Sequence, residues 1–102
     1  MDLEKALSYL SLAKRAGQAA SGSFQTEKAL KEGKARLVIV SSDASENSRK
    51  HFSDMCAYRK VPLVIAADKE TLGRNVGASE RTVCAILSEG LAKAALTALD
   101  RE

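Results

Sequence analysis

The chain has 102 residues, of which 45% are hydrophobic and 28% charged, with a formal net charge of +3. This is the length and composition of one globular domain over residues 1–102, and its apolar runs are shorter than the roughly 20 residues that cross a bilayer. Only 4% of the residues are aromatic, which argues against single-strand binding on a platform of many stacked rings.

The N-terminal segment and the cysteines indicate the compartment. Residues 1–5 lack the basic region and long apolar core of a signal peptide, so a cytoplasmic protein is expected. Cys56 and Cys84 lie in apolar surroundings, which predicts two buried free thiols. Because there is no CxxC and only one histidine, neither a metal site nor a cofactor is predicted.

The first element is an amphipathic helix. Apolar residues at i, i+3, i+4 and i+7 predict a helix over residues 3–16. Asp2 can cap its start, and Gly17 follows two basic residues where a helix typically ends. Residues 18–21 are a candidate short strand.

A second helix and a buried strand follow. The helix is predicted over about residues 23–32, with Ser23 as its N-cap and Gly33 as its terminator. The strand over residues 36–41 contains the continuous apolar run 37–40, which is typical of a strand that is covered on both faces.

The second half of the chain repeats the alternation. A helix over residues 46–59 is expected to bury Phe52, Met55 and Cys56, and residues 61–66 are a second covered strand. Asp68 caps a short helix, a strand covers residues 82–87, and Ser88 caps a last helix. The residues of that helix predicted to face inward are Leu91, Ala95, Leu96 and Leu99.

The order of these elements predicts the fold class. Helices and strands alternate without a linker or a repeat, which is typical of an α/β fold with helices on both faces of a small sheet. We therefore predict a three-layer α/β/α sandwich.

The basic residues are not evenly distributed. Residues 1–42 contain seven Lys/Arg and four Asp/Glu, so they hold the whole net charge of +3. A helix N-terminus at residues 21–23, followed by exposed lysines, suits contact with a phosphate backbone. Ordinary solvation of exposed helix faces explains the same charges equally well.

Signals for catalysis are weak. Asp43 ends a strand, where α/β enzymes often place chemistry, but turn formation with Ser45 and Asn47 is its simpler role. His51 is expected in mid-helix on the surface, where a lone histidine is far more often solvated than catalytic. A small enzyme therefore remains a third hypothesis that rests on Asp43 alone.

Several segments together resemble the ribosomal protein L-seven-Ae family, whose members often bind kink-turn RNA. The resemblance is carried by residues 10–36, 37–45, 56–64, 72–77 and 83–87. Details at residues 12–17, 43–47 and 89–94 are most similar to the bacterial YlxQ group. The resemblance covers nearly the whole chain and implies an α/β/α sandwich with a four-stranded mixed sheet. It also implies a ribosome-associated RNA-binding protein of the cytoplasm without enzymatic activity.

The family's RNA motif can be followed residue by residue. Its kink-turn binders typically begin the second helix with Gly-Ala-Asn-Glu-x-x-Lys, and here Gly22 and Lys28 match while Ser23 is another small residue. Phe24 and Gln25 stand where Asn and Glu contact the sheared G·A pairs. Gln25 can donate and accept hydrogen bonds at a base edge. Phe24 can stack on a base or fill the core, and the scarcity of aromatic residues favours the core.

A second candidate patch is the loop before the fourth strand, over residues 77–82. In the family this loop contacts the bulged nucleotide of the kink. Glu80 would be unfavourable near a phosphate and Arg81 would offset it, whereas Ala78 and Ser79 are less hydrophobic than the usual residues. An ordinary surface loop with a glycine turn is an equal alternative.

Together these observations predict binding to structured RNA, ribosomal or another non-coding RNA, by a monomeric, non-membrane protein. The alternative is a protein-interaction module on the same fold that has lost kink-turn specificity. No catalytic residue is predicted. The residues predicted to contact RNA are Gly22, Ser23, Phe24, Gln25, Lys28, Lys31, Lys34, Arg36, Ala78, Ser79, Glu80 and Arg81.

Overall fold

The computed structural model describes residues 2–100 and contains helices and strands in strict alternation after the first helix. The helices are α1 (Leu3–Arg15), α2 (Gly22–Lys31), α3 (Glu46–Arg59), α4 (Lys69–Arg74) and α5 (Glu89–Asp100). The strands are β1 (Ala19–Ser21), β2 (Leu37–Val40), β3 (Leu63–Ile65) and β4 (Val83–Ile86). Among the described residues, no helix is both long and apolar enough to cross a membrane.

The strands form one mixed sheet in the order β1-β4-β2-β3. Strand β4 pairs antiparallel with β1 and β2, and β2 pairs parallel with β3. The register places Ser21 opposite Cys84 and Val40 opposite Val83. The predicted four-stranded mixed sheet is therefore confirmed.

Each face of the sheet carries its own core, because side chains along a strand point alternately to opposite faces. Leu37 and Ile39 belong to the core under α1, α4 and α5. Val38 and Val40 belong to the core under α2 and α3. All four residues of β2 are buried, as the continuous apolar run predicts, and the three-layer α/β/α sandwich is confirmed.

The ends of α1 follow the predicted signals. Asp2 accepts a hydrogen bond from the Lys5 amide at 3.0 Å, which satisfies one of the free N–H groups of the first turn. Gly17 follows the helix with a φ of +71°, a conformation that favours glycine.

Two predicted burial patterns are wrong in part. Strand β3 is shorter than the predicted strand over residues 61–66. Because β3 lies at the edge of the sheet, its two faces are not fully covered as predicted, and Ile65 is 51% exposed. In α5 the fully buried stripe is Ala92, Ala95 and Ala98, while the predicted leucines are only partly buried beside it. Small residues face inward there because α5 packs directly against α1, whose own contact face includes alanines.

Candidate nucleic-acid interface

The β1–α2 junction and the segment entering β4 form one groove. Ser21 lies opposite Cys84 in the sheet, so the residues before β4 run past the first turn of α2. The groove has a volume of about 450 Å³ and is open to solvent. Its lining residues are Ser21, Gly22, Ser23, Phe24, Gln25, Glu80, Arg81 and Thr82. Two segments that are distant in sequence thus share one concave surface.

The first turn of α2 leaves amide groups unpaired at this groove. The helix begins at Gly22 with Ser21 in the N-cap position, not Ser23 as predicted. The Ser21 amide donates to Gln25 Oε1 at 3.0 Å. Within residues 2–100, the amides of Ser23 and Phe24 have no hydrogen-bond acceptor. Amides at a helix start, together with the helix dipole, favour an anion at this position.

Arg81 is fixed beside the same helix start. Its Nε donates to Ser21 Oγ at 2.9 Å, and its Nη1 donates to the Glu80 carbonyl at 2.7 Å. A Cβ on Gly22 would lie 3.5 Å from Arg81 Cδ and Nε, and the φ of Gly22 is +89°. The guanidinium therefore adds positive charge to the helix N-terminus at a defined position.

Glu80 is the acidic residue of the groove. Its carboxylate lies 4.0 Å from Lys69 Nζ, and both side chains are exposed. An exposed pair of this kind contributes little to stability, but it places a cation near the carboxylate that would otherwise oppose a phosphate. The electrostatic objection to Glu80 in this loop is therefore reduced.

Phe24 is a surface residue, and the expectation that it fills the core is wrong. Its side chain is 78% exposed. At about 100° per residue, Phe24 lies about 160° around the helix from Thr26, which is fully buried together with Leu30. The ring also lines a second groove of about 290 Å³, so it stands between two concave surfaces.

Two lysines lie on the Phe24 side of α2. Lys28 and Lys31 are exposed and fall within about 40° of Phe24 around the helix. Both line the second groove. We call Phe24, Lys28 and Lys31 the α2 stripe. It gives α2 one outward face with a ring at its start and two ammonium groups along its length.

Comparison with known proteins decides the family. Residues 4–96 match the model of the ribosomal protein L7Ae/L30e/S12e/Gadd45 family. The chain belongs to this family. The RNA-binding proteins YlxQ of Bacillus subtilis (strain 168) and Enterococcus faecium are 36% and 33% identical to it, over 89% and 88% of this chain and 91% and 86% of theirs. The resemblance inferred from the sequence is thereby confirmed.

Solved structures agree with the family assignment. A protein of unknown function from Bacillus halodurans C matches with a TM-score of 0.90 and 35% identity, over 95% of this chain and 98% of that chain. The Giardia lamblia 15.5kD RNA binding protein matches with a TM-score of 0.79 and 24% identity, over 94% of this chain and 82% of that chain. The second likeness concerns the fold alone.

Four of the residues predicted to contact RNA, Lys34, Arg36, Ala78 and Ser79, line neither groove. Lys34 pairs with Glu32 at 3.4 Å, and Arg36 donates to the Gly33 carbonyl at 3.3 Å, both beyond the end of α2. Ala78 packs against the core, and Ser79 is exposed without lining either groove.

The glycine of α4 explains why the loop before β4 is held close to the domain. A Cβ on Gly73 would lie 2.7 Å from Glu80 Cα and 2.9 Å from the Ser79 carbonyl carbon. The absence of a side chain at Gly73 therefore allows the loop backbone to rest directly on α4. That contact sets the course of the chain as it approaches Arg81.

Residues with catalytic potential have structural partners in this member of the L7Ae family. Asp43 lies in the turn after β2, as predicted, and its carboxylate accepts from the Lys69 amide at 3.0 Å, which ties this turn to α4. His51 Nε2 contacts Glu27 Oε1 at 2.9 Å across α3 and α2. Among residues 2–100, no group of three His, Cys, Asp or Glu side chains is placed to hold a metal ion.

Both cysteines are buried free thiols, as predicted. Burial raises the pKa of the Cys56 thiol to about 11, and burial does the same for the pKa of Cys84. A thiol with such a pKa remains protonated at neutral pH and is a poor nucleophile. The two residues therefore act as small apolar side chains in the cores.

Ser21 and Thr82 line the groove as well, from the helix start at residues 21–23 and the loop at residues 77–82 that the sequence indicates. Two further surface residues lie outside the sequence-based predictions. Tyr58 and Arg59 are exposed near the C-terminal end of α2. Their exposure was available from periodicity, because Tyr58 lies about 200° around α3 from the buried Cys56.

Proposed function

We propose that this chain is a non-enzymatic protein that binds structured RNA, ribosomal or another non-coding RNA, at the groove between α2 and the loop before β4. The observation that carries the proposal is one groove that combines free helix-start amides, an anchored arginine and an exposed aromatic ring. Membership of a family whose relatives include RNA-binding proteins supports it.

The phosphate contacts follow from the charges at the groove. An RNA phosphate would bind the amides of Ser23 and Phe24 and the guanidinium of Arg81. Lys28 and Lys31 would neutralise neighbouring phosphates along the α2 stripe. These residues position the RNA backbone and carry no sequence information themselves.

Base recognition would fall to two residues. Phe24 would stack on an unpaired base, because its ring is exposed beside the phosphate-binding groups. Gln25 would donate through its amide nitrogen, since its Oε1 is engaged by the Ser21 amide. The proposed ligand is therefore bent like a kink-turn, but its tandem G·A pairs contribute less to affinity than they would with Asn and Glu at these positions.

We further propose that the protein is a monomer and that it associates with the ribosome in the cytoplasm. The exposed large hydrophobic residues among those described are spread over four elements: Leu12, Phe24, Tyr58 and Ile65. Scattered apolar side chains of this kind do not form the contiguous patch that a stable homodimer needs.

Titration with one RNA hairpin tests the proposal. The probe is a kink-turn with tandem G·A pairs, compared with the same hairpin lacking them. With three or four phosphate contacts, the slope of log affinity against log salt should be roughly −2 to −4. Arg81→Ala and Lys28→Ala should each weaken binding and reduce that slope by about 1. Lys93→Ala on the exposed face of α5 is the matched control and should change nothing.

A protein-interaction module is the second candidate function, favoured by the exposure of the Phe24 ring itself. A protein partner bound through that ring would not depend on phosphate charge. Hairpin binding that is absent, or that does not change with salt, would therefore favour this second candidate over RNA.

A further inference from the structure

We propose that a second RNA contact lies at the C-terminal end of α3, where Tyr58 and Arg59 receive a single-stranded segment leaving the groove site. This inference rests on the proposed RNA function and extends it to a surface outside the groove. The ligand class is an unpaired stretch of RNA, held by one base stacked on Tyr58 and by phosphates between Tyr58 and Phe24.

A chain of contacts connects this surface to the α2 stripe. Arg59 Nη1 donates to the Lys31 carbonyl at 3.3 Å, at the last residue of α2. The same guanidinium lies 5.8 Å from the centroid of the Tyr58 ring. Along the helix axis, Phe24 and Lys31 are about 10 Å apart at 1.5 Å per residue. The two exposed rings therefore lie at opposite ends of one basic track.

The cations along the track are not held in ion pairs. Among the described residues, Lys28, Lys31 and Arg59 form no salt bridge. Two acids, Glu27 and Glu32, line the same groove as Lys28 and Lys31. Glu32 pairs with Lys34, and Glu27 contacts His51, which offsets the carboxylate charge only when the imidazole is protonated. A polyanion following the track would thus meet cations whose charge is not already paired.

The placement of the aromatic residues is the independent observation. The chain has only four Phe and Tyr residues, yet Tyr58 is 83% exposed and Phe24 is 78% exposed. The scarcity of rings argued against a stacking platform when only composition was considered. Two rings separated by cations are nevertheless the arrangement that stacks bases and binds the backbone of a single strand.

The test uses three forms of the kink-turn hairpin. One is blunt, one carries about six unpaired nucleotides at its 5′ end, and one carries about six at its 3′ end. For the unaltered protein, the favourable extension should raise affinity roughly 5- to 150-fold, the range expected for stacking one base on a ring. Tyr58→Ala and Tyr58→Leu should abolish this gain, and Tyr58→Phe should keep it. None of the three should change affinity for the blunt hairpin.

The blunt and extended probes separate the two proposals. If the blunt hairpin binds but neither extension adds affinity, the second contact is wrong and the groove function stands. A gain that persists in Tyr58→Ala also overturns it. If the blunt hairpin fails to bind while an extended RNA binds in a manner that requires Tyr58, the groove function fails and the second contact stands. Failure of all probes overturns both.

Discussion

Truncation of Phe24 distinguishes a ligand-binding ring from a core ring. Only about a fifth of the side chain is covered by protein. Since complete burial of Phe contributes about 1.5–3 kcal/mol, Phe24→Ala should lower the free energy of unfolding by about 0.3–0.6 kcal/mol. For a domain of this length, that corresponds to a fall in Tm of roughly 1–5 °C. Affinity for the kink-turn hairpin should fall by about 1–3 kcal/mol, the contribution of one stacked base.

Phe52 supplies the matched control in the adjacent helix. It is 3% exposed, so Phe52→Ala should lower the free energy of unfolding by about 3–5 kcal/mol and Tm by about 12 °C or more. Thermal melts and hairpin titrations of both variants complete the comparison. The reasoning is refuted if Phe24→Ala destabilises as strongly as Phe52→Ala, or if its affinity for the hairpin equals that of the unaltered protein.

Three further predictions concern specificity, loop support and pH. The double variant Phe24→Asn with Gln25→Glu should favour the hairpin with G·A pairs over the hairpin without them by an additional amount of about 1–3 kcal/mol per restored contact. An unchanged ratio of the affinities for these two hairpins would contradict this. Gly73→Ala should lower the free energy of unfolding by about 1–3 kcal/mol, because its Cβ would lie 2.7 Å from loop backbone. Gly90→Ala in α5 meets nothing nearer than 4.0 Å and should raise the free energy of unfolding by up to about 1 kcal/mol in a denaturant melt. Burial raises the pKa of Cys84 from 9.0 to about 11, so the folded state retains a proton that the unfolded state loses, and stability should fall as pH rises through this interval. Cys84→Ala should show a smaller loss between about pH 8 and about pH 10.5, and an identical loss would show that another group is responsible.

The fold could be predicted because its local signals agree with one another. The run Leu37–Val40 is apolar at every position, which requires cover on both faces, and the structure provides a separate core for each. Asp68 and Ser88 cap the helices that follow them, as their positions indicate. Local chemistry was sufficient at these positions.

The site was harder to predict because its geometry depends on pairing between distant segments. The scarcity of aromatic residues predicts a core position for Phe24, but its angular position relative to Thr26 and Leu30 places it outside. Periodicity over the ten residues of α2 contained that information. Arg81 donates a hydrogen bond to Ser21 at the groove. Both this hydrogen bond and the groove depend on the β1–β4 register, which no local pattern specifies.

That register also determines which partner must move during binding. Ala19, Ala20 and Ser21 pair in sequence with Ile86, Ala85 and Cys84. Ser21 on one wall of the groove is therefore held in a hydrogen-bonded ladder whose partner strand begins directly after Thr82 on the other wall. Under the proposed RNA function, this pairing limits movement of the protein at Ser21, and the conformational cost of association falls mainly on the RNA. Apparent affinity should scale with the fraction of RNA that is already bent, so magnesium ions that favour the bent hairpin should tighten binding without any change in the protein.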